Sequence, residues 1–207
     1  MNIDLSIMPS GSKPRGFTDA LTGHGGAVRW QVLDDPSAPP DCKVIAETSG
    51  DATDYRFPIC IFNDVTAKNV NISVRFKPIA GSLDQAGGLI VRVQNPDNYY
   101  VARANALEDN VNLYKVVAGE RRKIATYKGK VSKDAWHTLS LKVEEDLLEV
   151  AFDGKRVVQT HDQTFTGAGK VGLWTKADSL THFVNLQIYP NDKSNSAAAL
   201  QAARKGQ

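Results

Sequence analysis

From about residue 42 to residue 189, apolar side chains recur at every second position in short runs divided by turn residues. The runs read KVIAE, FPICIF, NVNISVRFK, GGLIVRVQ, NYYVARA, NVNLYKVV, RKIATY, WHTLSLKVE, LLEVAF, RVVQTH, KVGLWTK and FVNLQIY. SGDATD, NPD, AGE and DG punctuate them, as turns require. A period of two sends apolar side chains to one face of a strand and polar ones to the other. No stretch in this span carries a helical period, and none repeats. Many short strands at this spacing build a sandwich or a barrel. With 207 residues, 42% of them hydrophobic, the chain suits one β-domain with tails. A chain of that size buries a core without staples.

Two segments stand apart. Residues 1–40 are rich in Gly, Pro and Asp, and only AVRWQVL reads as a strand. Residues 191–207, NDKSNSAAALQAARKGQ, shift sharply in composition. Their alanines favour helix, but so little apolar surface is available to dock them that a frayed tail is expected.

The charges are balanced and interspersed: 25 basic against 23 acidic residues, a net of +2. No basic stripe points to nucleic acid and no polybasic run to a membrane surface. No apolar run approaches the length of a spanning helix, and the amino terminus lacks a signal-peptide plan. Two cysteines, Cys42 and Cys60, are too few for a disulfide framework. If KVIAE and FPICIF pair as a hairpin about SGDATD, the two face each other. A Cys42–Cys60 bridge and two inert buried thiols are then the alternatives.

EEDLLE at 144–149 matches the Glu-x-Asp-x-x-Glu spacing of sandwich-fold glucan hydrolases. Registering the hairpin from its own side chains gives another reading. With Glu145 and Asp146 at the tip, Val143 faces Leu148, Leu141 faces Val150 and Leu139 faces Phe152, all on one face. Lys142 then opposes Glu149 as a cross-strand ion pair. Glu144 and Glu149 fall on different strands, with Asp146 in solvent between them. A glucanase needs its carboxylates along one strand beside a sugar.

GAGKVG at 167–172 formally matches a dinucleotide fingerprint, but that motif works only where a strand passes into a helix. Here strand follows, so the glycines read as a turn. His24, His137, His161 and His182 are scattered, without the spacing of a zinc site. No G-x-S-x-G elbow is present. NIS at 71–73 fits a glycosylation acceptor but lies inside a strand pattern.

The segment NPDNYYVARANALEDNVNLYKV, residues 95–116, places Arg, Asn, Glu, Asp and Tyr on two adjoining strands and their connection. Amides and carboxylates exchange paired hydrogen bonds with polyol hydroxyls, and an aromatic ring covers the apolar face of a sugar. The alternative is a solvated outer face laced by ion pairs such as Arg103–Glu108. Trp136 and Trp174 read either as sugar platforms or as core residues.

QAGGLIVRVQNPDNYYVARANALEDNVNLYKVVAGERRKI, WHTLSLKVEEDLLEVAFDGKRV and GKVGLWTKADSLTHFVNLQI resemble, in that order, the concanavalin A-like lectin/glucanase superfamily. Within it they are similar to bacterial laminin-G-like proteins close to the 3-keto-disaccharide hydrolase family, often labelled glycoside hydrolases. The resemblance spans roughly residues 16–189. It implies an all-β jelly-roll sandwich of two curved antiparallel sheets with any ligand on the concave face, and a periplasmic or secreted protein. It transfers no catalytic residue. Where relatives tend to have Gly before the turn aspartate this chain has Glu145, which implies a loop longer than two residues.

The expected organisation is an extension at 1–15, the jelly roll at 16–190 and a tail at 191–207. The expected function is binding of a saccharide or related polyol, without glucanase chemistry. The expected ligand set is Arg92, Tyr100, Arg103, Asn105, Glu108, Asn110, Asn112, Tyr114, Lys115, Trp174 and Lys176. The rivals are a hydrolase or lyase acting on oxidised disaccharides with a divalent cation such as calcium, and a scaffold without a small ligand.

Overall fold

The computed structural model describes residues 1, 3–38 and 43–192. The alternation resolves into fourteen strands, with no helix among the described residues. They are β1 (Phe17–Gly23), β2 (Trp30–Asp34), β3 (Lys43–Glu47), β4 (Arg56–Ala67), β5 (Val70–Ala80), β6 (Ala86–Asn95) and β7 (Asn98–Asn105). There follow β8 (Asn110–Val117), β9 (Glu120–Lys128), β10 (His137–Glu144), β11 (Leu147–Phe152), β12 (Lys155–His161), β13 (Gly169–Trp174) and β14 (Leu180–Pro190). Sheet one runs β1-β4-β13-β6-β7-β8-β9 and sheet two runs β12-β11-β10-β5-β14-β3-β2. Every pairing is antiparallel, and the two sheets form the expected jelly-roll sandwich.

The core lies between the sheets. Sheet one supplies Phe62, Leu89, Tyr100, Leu113 and Leu173, and sheet two supplies Ile72, Phe76, Leu139, Val150 and Phe183. Sheet one also carries a second apolar cluster on its other face, which includes Phe57, Ile59, Ile90, Tyr99, Val101, Tyr114 and Trp174. Residues 1–15 join the core: Leu5 and Met8 are buried in it, and the Met1 ammonium donates to the Ile188 carbonyl at 2.8 Å. Expected residues 193–207 and Cys42 lie outside the described residues.

The KVIAE–FPICIF hairpin does not form. KVIAE is β3, paired with β2 and β14 in sheet two, whereas FPICIF lies in β4, paired with β1 and β13 in sheet one. The polar SGDATD segment crosses between sheets instead of turning within one. Cys60 is a free, fully buried thiol, and burial raises its pKa well above the ordinary value. β1 is an element the sequence pattern did not reveal, because FTDALTG is an edge strand with a mostly half-buried face.

The β10–β11 hairpin has the register expected from its side chains, from Leu139 opposite Phe152 to Val143 opposite Leu148. Lys142 lies 3.6 Å from Glu149. Glu144 pairs with Leu147, so the loop is two residues and not longer. Glu145 takes the left-handed conformation that glycine would adopt freely (φ 52°). Its backbone N–H donates to Asn69, its carbonyl accepts from Arg92, and its carboxylate pairs with Lys68. Asp146 is half-buried rather than free in solvent, bonded to His161 and Gln163.

GAGKVG leads into β13, as strand rather than helix. A Cβ at Gly169 would lie 2.4 Å from the Arg92 backbone, and one at Gly172 would lie 2.2 Å from the Cys60 carbonyl. These glycines let β13 sit between β6 and β4. No helix in the described residues is long and apolar enough to cross a membrane.

Candidate functional site

Alternation along β7 and β8 divides the expected ligand residues between two faces. Tyr99, Val101 and Arg103 point away from sheet two, together with Asn112, Tyr114 and Val116 on β8. Tyr100 points the other way, into the core, and Lys115 shares its side of the sheet. Tyr100 and Lys115 both bond the Asp162 carboxylate at 2.7 Å and are structural. Burial raises the Tyr100 pKa to about 12.

Arg92 is also removed from the site. It stands at positive φ beside a register shift in β6, and its buried guanidinium donates to the carbonyls of Lys68, Phe165 and Glu145. One side chain thus ties three connections at one end of the sandwich. Trp174 is fully buried, so it is no sugar platform. Its ring stacks on Phe57 with centroids 5.5 Å apart. Asn105 is buried too and donates to Asp84, which takes it out of the ligand set.

What the fold brings together is Arg103, Glu108, Asn110, Asn112 and Tyr114. Arg103 lies opposite Asn112 in the register, and the β7–β8 connection returns Glu108 and Asn110 over it. The Arg103 guanidinium donates to both Glu108 oxygens, at 3.3 and 2.9 Å, and to Asn110 Oδ1 at 2.5 Å. The Asn112 amide satisfies its neighbours in one orientation. Its carbonyl then accepts from Arg103 Nη2 at 3.0 Å and from the Tyr114 hydroxyl at 2.8 Å, and its NH2 donates to Thr126. Arg103 is buried, while the Glu108 side chain is 48% exposed, so the network reaches from the sheet floor to solvent. Arg103 holds the Glu108 carboxyl down to about 2.

Lys176 stands at one edge of this network, 2.6 Å from Asp54 and 3.1 Å from Asp84. Asp84 is buried, and that burial raises its pKa against the opposing pull of Arg103 and Lys176. Asp84 and Glu108 therefore shift in opposite directions on the same face.

Arg121 on β9 completes the patch, and no sequence signal marked it. Its guanidinium covers Phe57 at 4.5 Å, Tyr114 at 4.6 Å and Trp174 at 5.7 Å. No carboxylate lies within ion-pair distance of it among the described residues, and its Nη1 and the Nε of Arg103 have no hydrogen-bond acceptor there. Burial lowers the Arg121 pKa. Its backbone N–H donates to the half-exposed Tyr55 hydroxyl, and the Tyr55 ring packs on Phe57 at 4.7 Å. Tyr55 also borders a recess of about 310 Å3 with Gly23, His24, Asp97 and Glu120.

Among the described residues no group of three or more His, Cys, Asp or Glu side chains converges in a way that would hold a metal ion. Three of the four histidines pair with a carboxylate instead: His137 with Asp153, His161 with Asp146 and His182 with Asp35. Trp136, the other tryptophan read as a platform or a core residue, is half-buried just before β10, beside sheet two. Its indole N–H donates to Ser37, and Arg75 and Lys77 lie over its ring.

No protein-family model and no curated protein matches the chain. Solved structures share its fold. The carbohydrate-binding module CBM66 from Bacillus subtilis is 22% identical, with a TM-score of 0.64 over 84% of this chain and 94% of that one. A Parabacteroides distasonis protein with the provisional name of a glycosyl hydrolase is 14% identical, with a TM-score of 0.55 over 88% and 91%. A Bacillus subtilis protein of unknown function with a galectin-like fold is 10% identical, with a TM-score of 0.56 over 83% and 88%.

Proposed function

We propose that the outer face of sheet one binds a saccharide through Arg103, Glu108, Asn110, Asn112, Tyr114 and Arg121. The carrying observation is the continuous network from buried Arg103 to half-exposed Glu108, set beside an arginine held on three aromatic rings. A face that only needs solubility can carry exposed charges without burying a guanidinium under them. Fixed donors and acceptors beside an apolar floor suit a polyol, whose hydroxyls need both and whose ring needs the floor. The Bacillus subtilis module, a carbohydrate-binding protein on the same fold, supports this reading by analogy. A periplasmic or secreted setting belongs to the same proposal.

A second reading is favoured by the opposed shifts of Asp84 and Glu108. Two carboxyl groups pushed apart on one face are what acid–base chemistry on a glycoside uses. Against it, Asp84 is buried, its Oδ1 accepts from Asn105 and its Oδ2 faces the Lys176 ammonium at 3.1 Å as an ion pair. Calorimetry with a saccharide panel, alongside hydrolysis assays on oxidised disaccharides, separates the two. Binding without turnover, reduced at least tenfold in Glu108→Gln with the protein still folded at the assay temperature, is the expected result. Unchanged affinity in that variant leaves the scaffold reading, and turnover lost in Asp84→Asn establishes the enzyme.

A further inference from the structure

The outer face of sheet two holds a second constellation, unrelated to the first. A recess of about 650 Å3 opens there across β14, β5, β10, β11 and β12. The strand registers explain its shape. Ser73 pairs with Gln187 on one side and Ser140 on the other, and Ser140 pairs with Ala151. Three short side chains thus lie abreast on adjacent strands and form a low row across the sheet.

The next row is tall. Tyr189 pairs with Asn71, Asn71 with Lys142 and Lys142 with Glu149. On the other side of the low row, Arg75 pairs with Thr138, and the Arg75 side chain rises over Trp136. Low between tall makes a trough at right angles to the strands. Five strands at about 4.8 Å spacing make it about 19 Å long. Arg156, bonded to Glu149 at 2.6 Å, stands at one end, and Gln187 at the other.

The chemistry of the lining selects the occupant. The floor offers hydroxyls and an amide, which donate and accept in one plane. The charges of the wall compensate each other: Glu149 lies between Lys142 and Arg156, and Lys142 also pairs with Glu144. Among the residues that line the recess no charge is left over for an anionic or cationic ligand, and Arg75 in the facing row is turned over the Trp136 ring. Tyr189 is 49% exposed and offers a ring face beside the row. We propose that this trough is a second saccharide site, for a linear, uncharged oligosaccharide lying across the strands. It is independent of the sheet-one site, since the two share no residue and lie on opposite outer faces. Such a protein would hold two glycan segments at once and gain avidity on a polymeric ligand.

The test is amide NMR on the isotope-labelled protein titrated with cellohexaose, maltohexaose and a linear fructo-oligosaccharide, with hexagalacturonate as the charged control. At least one neutral probe should shift the amides of Ser73, Ser140 and Gln187, and hexagalacturonate should not. Ser140→Arg, which fills the trough from an outward position, should abolish those shifts while leaving any response at Asn110 and Thr126 intact. Tyr189→Ala, which removes a half-exposed ring, should weaken the same response at least threefold and serves if Ser140→Arg does not fold. Silence at Ser73, Ser140 and Gln187 with every probe overturns the proposal, as do shifts that survive both variants or equal shifts with hexagalacturonate. Loss of the Asn110 and Thr126 response in Glu108→Gln alone speaks only to the sheet-one reading.

Discussion

The Glu108 carboxylate, in the β7–β8 connection, caps with two hydrogen bonds the buried guanidinium of Arg103, five residues earlier on β7. This pairing lowers the Glu108 pKa from 4.5 to about 2. A carboxyl whose folded pKa is depressed adds stability that is present above 4.5 and is lost as pH falls from there through about 2. Glu108→Gln should therefore be less stable than wild type at pH 7, because Arg103 stays charged without its counter-ion. The gap should close as pH falls toward 2. Urea midpoints at pH 7, 4 and 2.5 check this. A gap independent of pH would mean that the pair does not couple to folding.

Trp174 fills the floor under Arg121 and against Phe57, fully buried. Truncating a buried aromatic costs about 3–5 kcal/mol through lost burial and the cavity left behind. Trp174→Ala should lower the melting temperature by about 6–20 °C in a domain of this size, or prevent folding. Loss of saccharide binding in that variant would therefore say nothing about a direct contact. A Trp174→Ala protein that melts like wild type would show that the side chain is not part of the packed floor.

Asp162 receives Lys115, Thr164 and Tyr100 at one carboxylate. Burial opposes its charge, but these hydrogen bonds outweigh it and bring its pKa from 3.8 to about 2. The stability this adds is present above 3.8 and lost as pH falls through about 2. Asp162→Asn should be less stable than wild type at neutral pH and show a flatter stability profile below pH 4. Lys115→Met should destabilise in the same window without altering saccharide binding. Binding lost in Lys115→Met, with its melting curve unchanged, would return Lys115 to the ligand set.

The sandwich was legible in the sequence because period-two alternation is a local property, and the β10–β11 register followed from six apolar side chains alone. The candidate site was legible only in part. Arg103, Glu108, Asn110, Asn112 and Tyr114 belong to neighbouring strands and one short connection, so local order brought them together. Tyr100 and Lys115 come from the same segment, but parity sends them to the opposite side of the sheet. Arg92 was misplaced because a register shift and a positive φ break the alternation of β6 there. Phe57, Asp84 and Arg121 meet the network only through the order of sheet one, which no short window contains. The Cys42–Cys60 hairpin failed for the same reason: two runs with matching patterns can lie in different sheets, and only the global topology separates them.

Arg121 offers the most direct probe of the sheet-one face. Its guanidinium lies over three rings and meets no carboxylate within ion-pair distance among the described residues. Cation–π contacts of this kind are worth about 0.5–2 kcal/mol, and the partial burial of an unpaired charge offsets part of that gain. Arg121→Ala should therefore change stability by no more than about 1–2 kcal/mol while uncovering Phe57, Tyr114 and Trp174. In a Trp136→Phe background, fully buried Trp30 and Trp174 remain as emitters. Arg121→Ala in that background should red-shift the emission and raise acrylamide quenching. Arg121→Lys should restore the charge but not the planar stacking, and so give an intermediate result. If the exposed rings then bind saccharide as tightly as wild type, Arg121 is a cover over the floor and not a ligand group. If affinity falls at least tenfold while the fold is retained, the guanidinium contacts the sugar as proposed.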